Sequence, residues 1–152
     1  MAKAQTIIAA IGKMSGQPLA AASRDYEKRL RGLNIVEINI RKKLPPLLLQ
    51  AEESRALIDA TMGMIRIAMD PRGQAPSSEG LANQIQSWRQ RGQPIAFLIG
   101  GADGHTDDLR AVSDHVLSLG PLTLPHLLAR VLLLEQLYRA EMITAGHPYH
   151  RG

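Results

Sequence analysis

Cysteine is absent from the 152-residue sequence. That excludes disulfides, thiolate catalysis and cysteine-ligated zinc, and it fits a cytoplasmic protein. Aromatic residues are nearly as scarce. Tyr26, Trp88, Phe97, Tyr138 and Tyr149 are the whole set, too few for the base-stacking sheet of RNA-recognition modules, so any RNA contact is expected to rely on charge and shape. No apolar run approaches the roughly 20 residues that cross a bilayer, and the opening Ile7-Ile-Ala-Ala10 is too short for a signal-peptide core. Neither a membrane nor secretion is expected. Gly12 and Gly16 have the wrong spacing for a dinucleotide fingerprint, no P-loop is present, and no serine sits in a G-x-S-x-G elbow. Ser113-Asp114-His115 is contiguous, but neighbours on a helix point in different directions, which argues against a hydrolase. His147 and His150 lack a third ligand at suitable spacing, so no metal site is expected.

What is present is an alternation of short apolar runs and helix-forming stretches. Strand-like runs fall at Thr6 to Ile11, Ile35 to Ile40, Ile65 to Met69, Ile95 to Ile99 and, more weakly, Val116 to Leu119. Helical stretches fill the intervals. Leu19 to Arg31 stops at Gly32; Leu47 to Met62 follows Pro45-Pro46 and closes at Gly63; Ser78 to Arg91 and Thr106 to His115 begin with capping hydroxyls. Strands apolar nearly throughout predict an α/β fold, a mostly parallel sheet with helices on both faces. The length suits a single domain over residues 1–152. A last helix, Pro125 to Ala145, carries Leu127, Leu128, Val131, Leu132, Leu133, Leu134, Leu137, Met142 and Ile143. That is more apolar surface than one sheet-facing stripe uses, and it predicts a homodimer. The formal charge of +4 and a pI near 9.8 suit an anionic partner. Lys28, Arg29, Arg31, Arg41, Lys42 and Lys43 flank one expected strand and form either a phosphate-facing rim or a solvated face.

In an open α/β sheet, ligands bind beyond the C-terminal ends of the strands. Three loops there are informative. Ile95 to Ile99 runs into Gly100-Gly101-Ala-Asp-Gly104-His105, which either lets the backbone approach a ligand or makes a plain turn. The stretch Leu119-Gly-Pro-Leu-Thr-Leu124 is expected to be irregular and partly buried. Its free backbone groups could meet the edge of a ring such as adenine, with leucines over the faces, or it is an ordinary connection. Met69-Asp70-Pro-Arg-Gly73 could supply a further wall, with Asp70 either on a ribose hydroxyl or pairing locally. The chain closes on His147-Pro-Tyr-His-Arg151, a frayed end or a segment that orders over a substrate.

Four blocks, Leu98-Ile-Gly-Gly101, Leu122-Thr-Leu-Pro-His126, Glu135-Gln-Leu-Tyr-Arg-Ala140 and His147-Pro-Tyr-His-Arg151, follow one another in an order that resembles the RlmH family of ribosomal RNA large subunit methyltransferases. The resemblance spans the whole chain. It implies a SPOUT-type fold whose C-terminal segment threads a trefoil knot, a rare exception to unknotted topology. It also implies transfer of a methyl group from S-adenosylmethionine to N3 of a pseudouridine in a 23S rRNA stem-loop, by a homodimer acting on the assembled 70S ribosome. By motif, cofactor contacts would fall on Met69, Gly100, Leu119, Gly120, Pro121, Leu122, Thr123 and Leu124. Substrate and catalytic roles would fall on the tail: Arg151 for phosphate or a uracil carbonyl, Tyr149 for the base, and His150 for the N3 proton. Relatives can carry Leu at the position of Met69, and Pro-Glu-Gly where this chain has Ala102-Asp-Gly. The alternative is a catalytically silent ribosome-binding or assembly factor, which would keep the dimer and basic residues but not the affinity for the cofactor.

Overall fold

A computed structural model describes residues 5–151. Strands and helices alternate: β1 (Thr6–Ile11), α1 (Ala20–Arg29), β2 (Leu33–Ile38), α2 (Pro46–Ala60), β3 (Ile65–Gln74), α3 (Ser78–Arg89), β4 (Ile95–Ile99), α4 (Asp107–Val112), β5 (His115–Leu117) and α5 (His126–Thr144). Local chemistry sets several starts. Pro46 opens α2, the Ser77 hydroxyl accepts the Gly80 N–H at α3, and the Thr106 hydroxyl accepts the Leu109 N–H at α4. All strand pairs are parallel, in the order β2-β1-β4-β3-β5.

Alternate residues of the central strands feed two cores. Ile8, Ala10, Phe97 and Ile67 pack on one face against α3 and α5; Ile7, Ala9, Leu98 and Ala68 pack on the other against Leu57 of α2 and Leu109 of α4. Helices therefore cover both faces, which is why the strands read as apolar throughout. No helix among the described residues is long and apolar enough to cross a membrane.

The structure departs from the sequence reading in three places. β2 begins two residues earlier than expected, at Leu33. β3 continues past Met69 to Gln74, because Met69 and Gln74 both register with Leu117 while residues 70–73 arch over β5. A Cβ added at Gly73 would lie 2.4 Å from the Val116 carbonyl oxygen, so two backbones cross almost in contact there. α4 stops at Val112, and His115 lies in a strand instead of a helix. Asp114 causes this: its N–H donates to Arg66 O and its carboxylate accepts the Arg66 N–H, both at 2.8 Å.

α5 also hides more of itself than expected. Val131, Leu133, Leu134 and Leu137 are buried within the chain, Leu127 packs by Met14 and Ala20, and Ile143 packs on the larger core. Only a stripe of Leu128, Leu132 and Met142 stays partly uncovered, with Leu132 at 38% exposure. The argument for a second copy rests on that narrower stripe.

Candidate functional site

The end of β3 with its arch of residues 70–73, the loops after β4 and β5, and the start of α5 enclose a cleft of about 830 Å³. Met69, Gly100, Leu119, Gly120, Leu122, Thr123 and Leu124 all line it. Pro121, alone of the expected set, is not on its wall and is exposed.

The glycine turn after β4 is pressed on two sides. A Cβ at Gly100 would lie 3.2 Å from His105 Nδ1, and one at Gly101 would lie 2.8 Å from a carboxylate oxygen of Glu53. A side chain at Gly100 would need its neighbours to give by a few tenths of an ångström, and one at Gly101 would need the end of the Glu53 side chain to swing away. α2 steadies the turn from behind: Gln50 Nε2 donates to Asp103 O (2.9 Å) and His105 O (3.2 Å), and Thr106 N donates to Ser54 Oγ (3.1 Å). His105 is buried and donates from Nε2 to Leu98 O at 2.9 Å, leaving Nδ1 buried and without a partner. Burial pushes its pKa below 6.5, so the ring is neutral.

Asp70 is committed locally. Its carboxylate accepts from Arg110 at 2.9 Å and from the Arg72 N–H at 2.9 Å, and Arg110 also bonds His105 O and Asp107. The loop after β5 is irregular, as expected: Gly120 has φ +128°, and its N–H and carbonyl both bond Ser118 Oγ. His126, at the opening of α5, is half-buried on the cleft wall, its Nε2 3.0 Å from the point a Gly12 Cβ would occupy. Burial, then the charge of Arg130, push its pKa below 6.5. Arg130 itself is buried and donates to Glu37 (2.5 Å) and to Gly12 O (3.1 Å), joining α5 to the ends of β1 and β2. Sequence reasoning gave no role to His105, Arg110, His126 or Arg130, although His105 closed the glycine loop and His126 closed a block already marked.

The tail lies elsewhere in the same chain. Tyr149 donates its hydroxyl to Glu135 at 2.9 Å, meets Tyr138 edge-on at 4.8 Å and sits 5.0 Å from the Arg139 guanidinium. Burial and the Glu135 carboxylate push its hydroxyl up to about 12. His150 Nε2 is 2.6 Å from Glu79, and Arg151 is exposed. None of the three lines the cleft. Arg29 lies 5.7 Å from the Tyr26 ring and 5.6 Å from Tyr138, so the three tyrosines and two arginines form one cluster on α1, α5 and the tail.

The six basic residues do not form one rim. Lys28, Arg29 and Arg31 stand at the N-terminal end of β2 and Arg41 to Lys43 beyond its C-terminal end, on the cleft side. A six-residue strand keeps the two groups about 20 Å apart.

A family model described as "Predicted SPOUT methyltransferase" matches residues 4–150. A protein of Rhodospirillum rubrum named ribosomal RNA large subunit methyltransferase H is 43% identical over 149 residues, covering 96% of this chain and 98% of that one. A protein of the same name from Neisseria gonorrhoeae is 42% identical over 146 residues, covering 95% and 87%. The fold is shared with a probable methylase family protein from Haemophilus influenzae (TM-score 0.60, 12% identity, 99% of this chain and 72% of that one). It is shared as well with the SpoU methyltransferase AviRb from Streptomyces viridochromogenes, solved with the cofactor AdoMet (TM-score 0.52, 14% identity, 93% and 60%).

Proposed function

The chain belongs to the SPOUT methyltransferase family, and from that premise we propose that it transfers the methyl group of S-adenosylmethionine to N3 of a pseudouridine in 23S ribosomal RNA. The observation that carries this reading is the cleft, which gathers the β3, β4 and β5 loops into one space. Its volume lies within the roughly 300–1,000 Å³ of ligand pockets. The donor set fits a sulfonium nucleoside. Gly100 and Gly101 let backbone come close, Leu119 and Leu124 offer apolar cover for a purine, and the bonds of Ser118 Oγ to Gly120 hold the turn between them in shape.

Bound there, S-adenosylmethionine supplies a methyl group activated by its positive sulfur. The protein's part is to hold donor and acceptor in line and to keep water out. Arg110, tied to Asp70 and His105 O, fixes the β3 and β4 loops relative to each other.

The tail supports a homodimer as the active unit. It does not reach its own cleft, and the uncovered Leu128 and Leu132 lie on the cleft half of α5. A second copy docked on that stripe could bring its Tyr149, His150 and Arg151 to this cleft, with Arg41 to Lys43 on the cleft side for phosphates. The substrate would be the assembled 70S ribosome, in the cytoplasm.

The test is incubation with labelled S-adenosylmethionine and ribosomes lacking the modification, beside separated subunits, with the methyl group mapped by mass spectrometry. Incorporation at N3 of a 23S pseudouridine, on assembled ribosomes only, is expected. Cofactor binding without incorporation at that site would refute the assigned substrate, and neither binding nor incorporation would leave the silent ribosome-binding factor.

A further inference from the structure

N3 of the proposed acceptor carries a proton that has to leave. His150, the residue the tail motif suggests for it, is bonded to Glu79 instead of facing its own cleft. The cleft wall narrows the choice. Asp70 and Asp107 are held by Arg110, and His105 is buried with its Nε2–H on Leu98 O. Asp103 is exposed, and carboxylates as a class are weaker bases than imidazole. His126 remains. Its ring is half-buried on the wall and makes no hydrogen bond to a described residue. The Nε2–Cδ2 edge faces Gly12, which leaves Nδ1 on the opposite edge.

Resting on the rRNA methyltransferase reading, we propose that the His126 imidazole is the general base of the transfer, taking the N3 proton as the methyl group arrives. The N3 lone pair forms the new N–C bond while the C–S bond breaks and its electron pair stays on sulfur. The sulfonium becomes a neutral thioether, the proton moves from N3 to the imidazole, and the positive charge passes with it. The imidazolium then releases its proton to water.

The surroundings suit that cycle. Arg130 faces the ring from the next turn of α5, Lys13 and Glu37 stand at the ends of β1 and β2, and Asp103 belongs to the β4 loop. Glu37 engages Arg130 directly, so no carboxylate is bonded to His126 to hold a proton on it. Burial and Arg130 keep the ring unprotonated near neutral pH and favour quick release of the proton it accepts.

Two measurements test the proposal. In NMR of the free protein, the His126 Cε1–H should titrate below 6.5. A midpoint of about 7 or higher overturns the proposal. In single-turnover methyl transfer to unmodified ribosomes, His126→Gln should lower the rate about 100-fold or more, keep cofactor affinity by calorimetry, and lose the acid limb of the wild-type pH profile. Added imidazole should restore part of the rate to His126→Ala. A His126→Gln rate within about threefold of wild type, with the acid limb intact, overturns it, and so does loss of cofactor binding in that variant. A wild-type protein that methylates no ribosomal RNA would sink the functional reading and this proposal together; active wild type with unimpaired His126→Gln sinks the proposal alone.

Discussion

Arg130 is 1% exposed and carries its charge against the ends of β1 and β2. A buried cation keeps its place only if it is matched, and Glu37 is the match. Burial alone would raise the Glu37 carboxyl, but hydrogen bonds from Arg130 and the Met14 N–H and the charges of Arg130 and Lys13 outweigh it, leaving the pKa below 4.5. The contribution is therefore present above pH 4.5 and fades as pH falls through the lowered value. Glu37→Gln should cost about 1–2 kcal/mol at neutral pH, discounted because Glu37 is partly wet, and urea unfolding should show the difference shrinking in acid. His105 loses stability in the same direction, toward acid, but in a higher pH window. Its folded pKa is depressed, so stability is complete above 6.5 and declines below it, where the unfolded chain takes up a proton that the folded chain refuses. His105→Leu should cost about 1 kcal/mol at pH 8 through the lost bond to Leu98 O, and thermal melts should show a smaller deficit at about pH 5. None of this was legible in the sequence, since His105 is an ordinary loop residue until Leu98 O comes within reach.

At the scale of elements, the most constrained passage is the arch of β3 over β5. Gly73 has no freedom there for steric reasons: an added methyl would meet backbone atoms of Val116 and Leu117, which have no rotamer to yield. Gly73→Ala should lose about 1–3 kcal/mol or more and weaken cofactor binding, because the arch carries Met69 and Asp70 on the cleft wall. Calorimetric melts and cofactor titration would check both, and a variant with normal values in each would contradict this reading of the crossing. Apolar periodicity placed β1 and β4 to the residue and located every helix. It failed where a long-range contact decides the backbone. Asp70-Pro71-Arg72-Gly73 has the composition of a turn, and only pairing with Leu117 makes it a continuation of β3. Residues 113–115 continue a helical pattern, and the bonds of Asp114 to Arg66, 48 positions away, end the helix and let β5 begin at His115.

At the scale of the whole molecule, the tail and the cleft stand apart in one chain. If the active unit is a homodimer with a shared site, a variant whose cleft no longer binds the cofactor, mixed and exchanged with a chain truncated after Pro148, should recover roughly a quarter of wild-type activity. Random pairing makes half the dimers mixed, each with one intact cleft facing one intact tail. No recovery after proven exchange would contradict the shared site. The sequence by itself determined the α/β architecture and which loops line the cleft, because burial imprints a period on the chain and parallel strands deliver their following loops to one end of the sheet. It also determined the scarcity of aromatics. Only the tertiary structure decided that three tyrosines and two arginines from α1, α5 and the tail form one cluster, that six neighbouring basic residues separate to opposite ends of β2, and that His126 meets Gly12. Those meetings depend on strand order and on the crossing of distant segments, and no local pattern of residues carries that information.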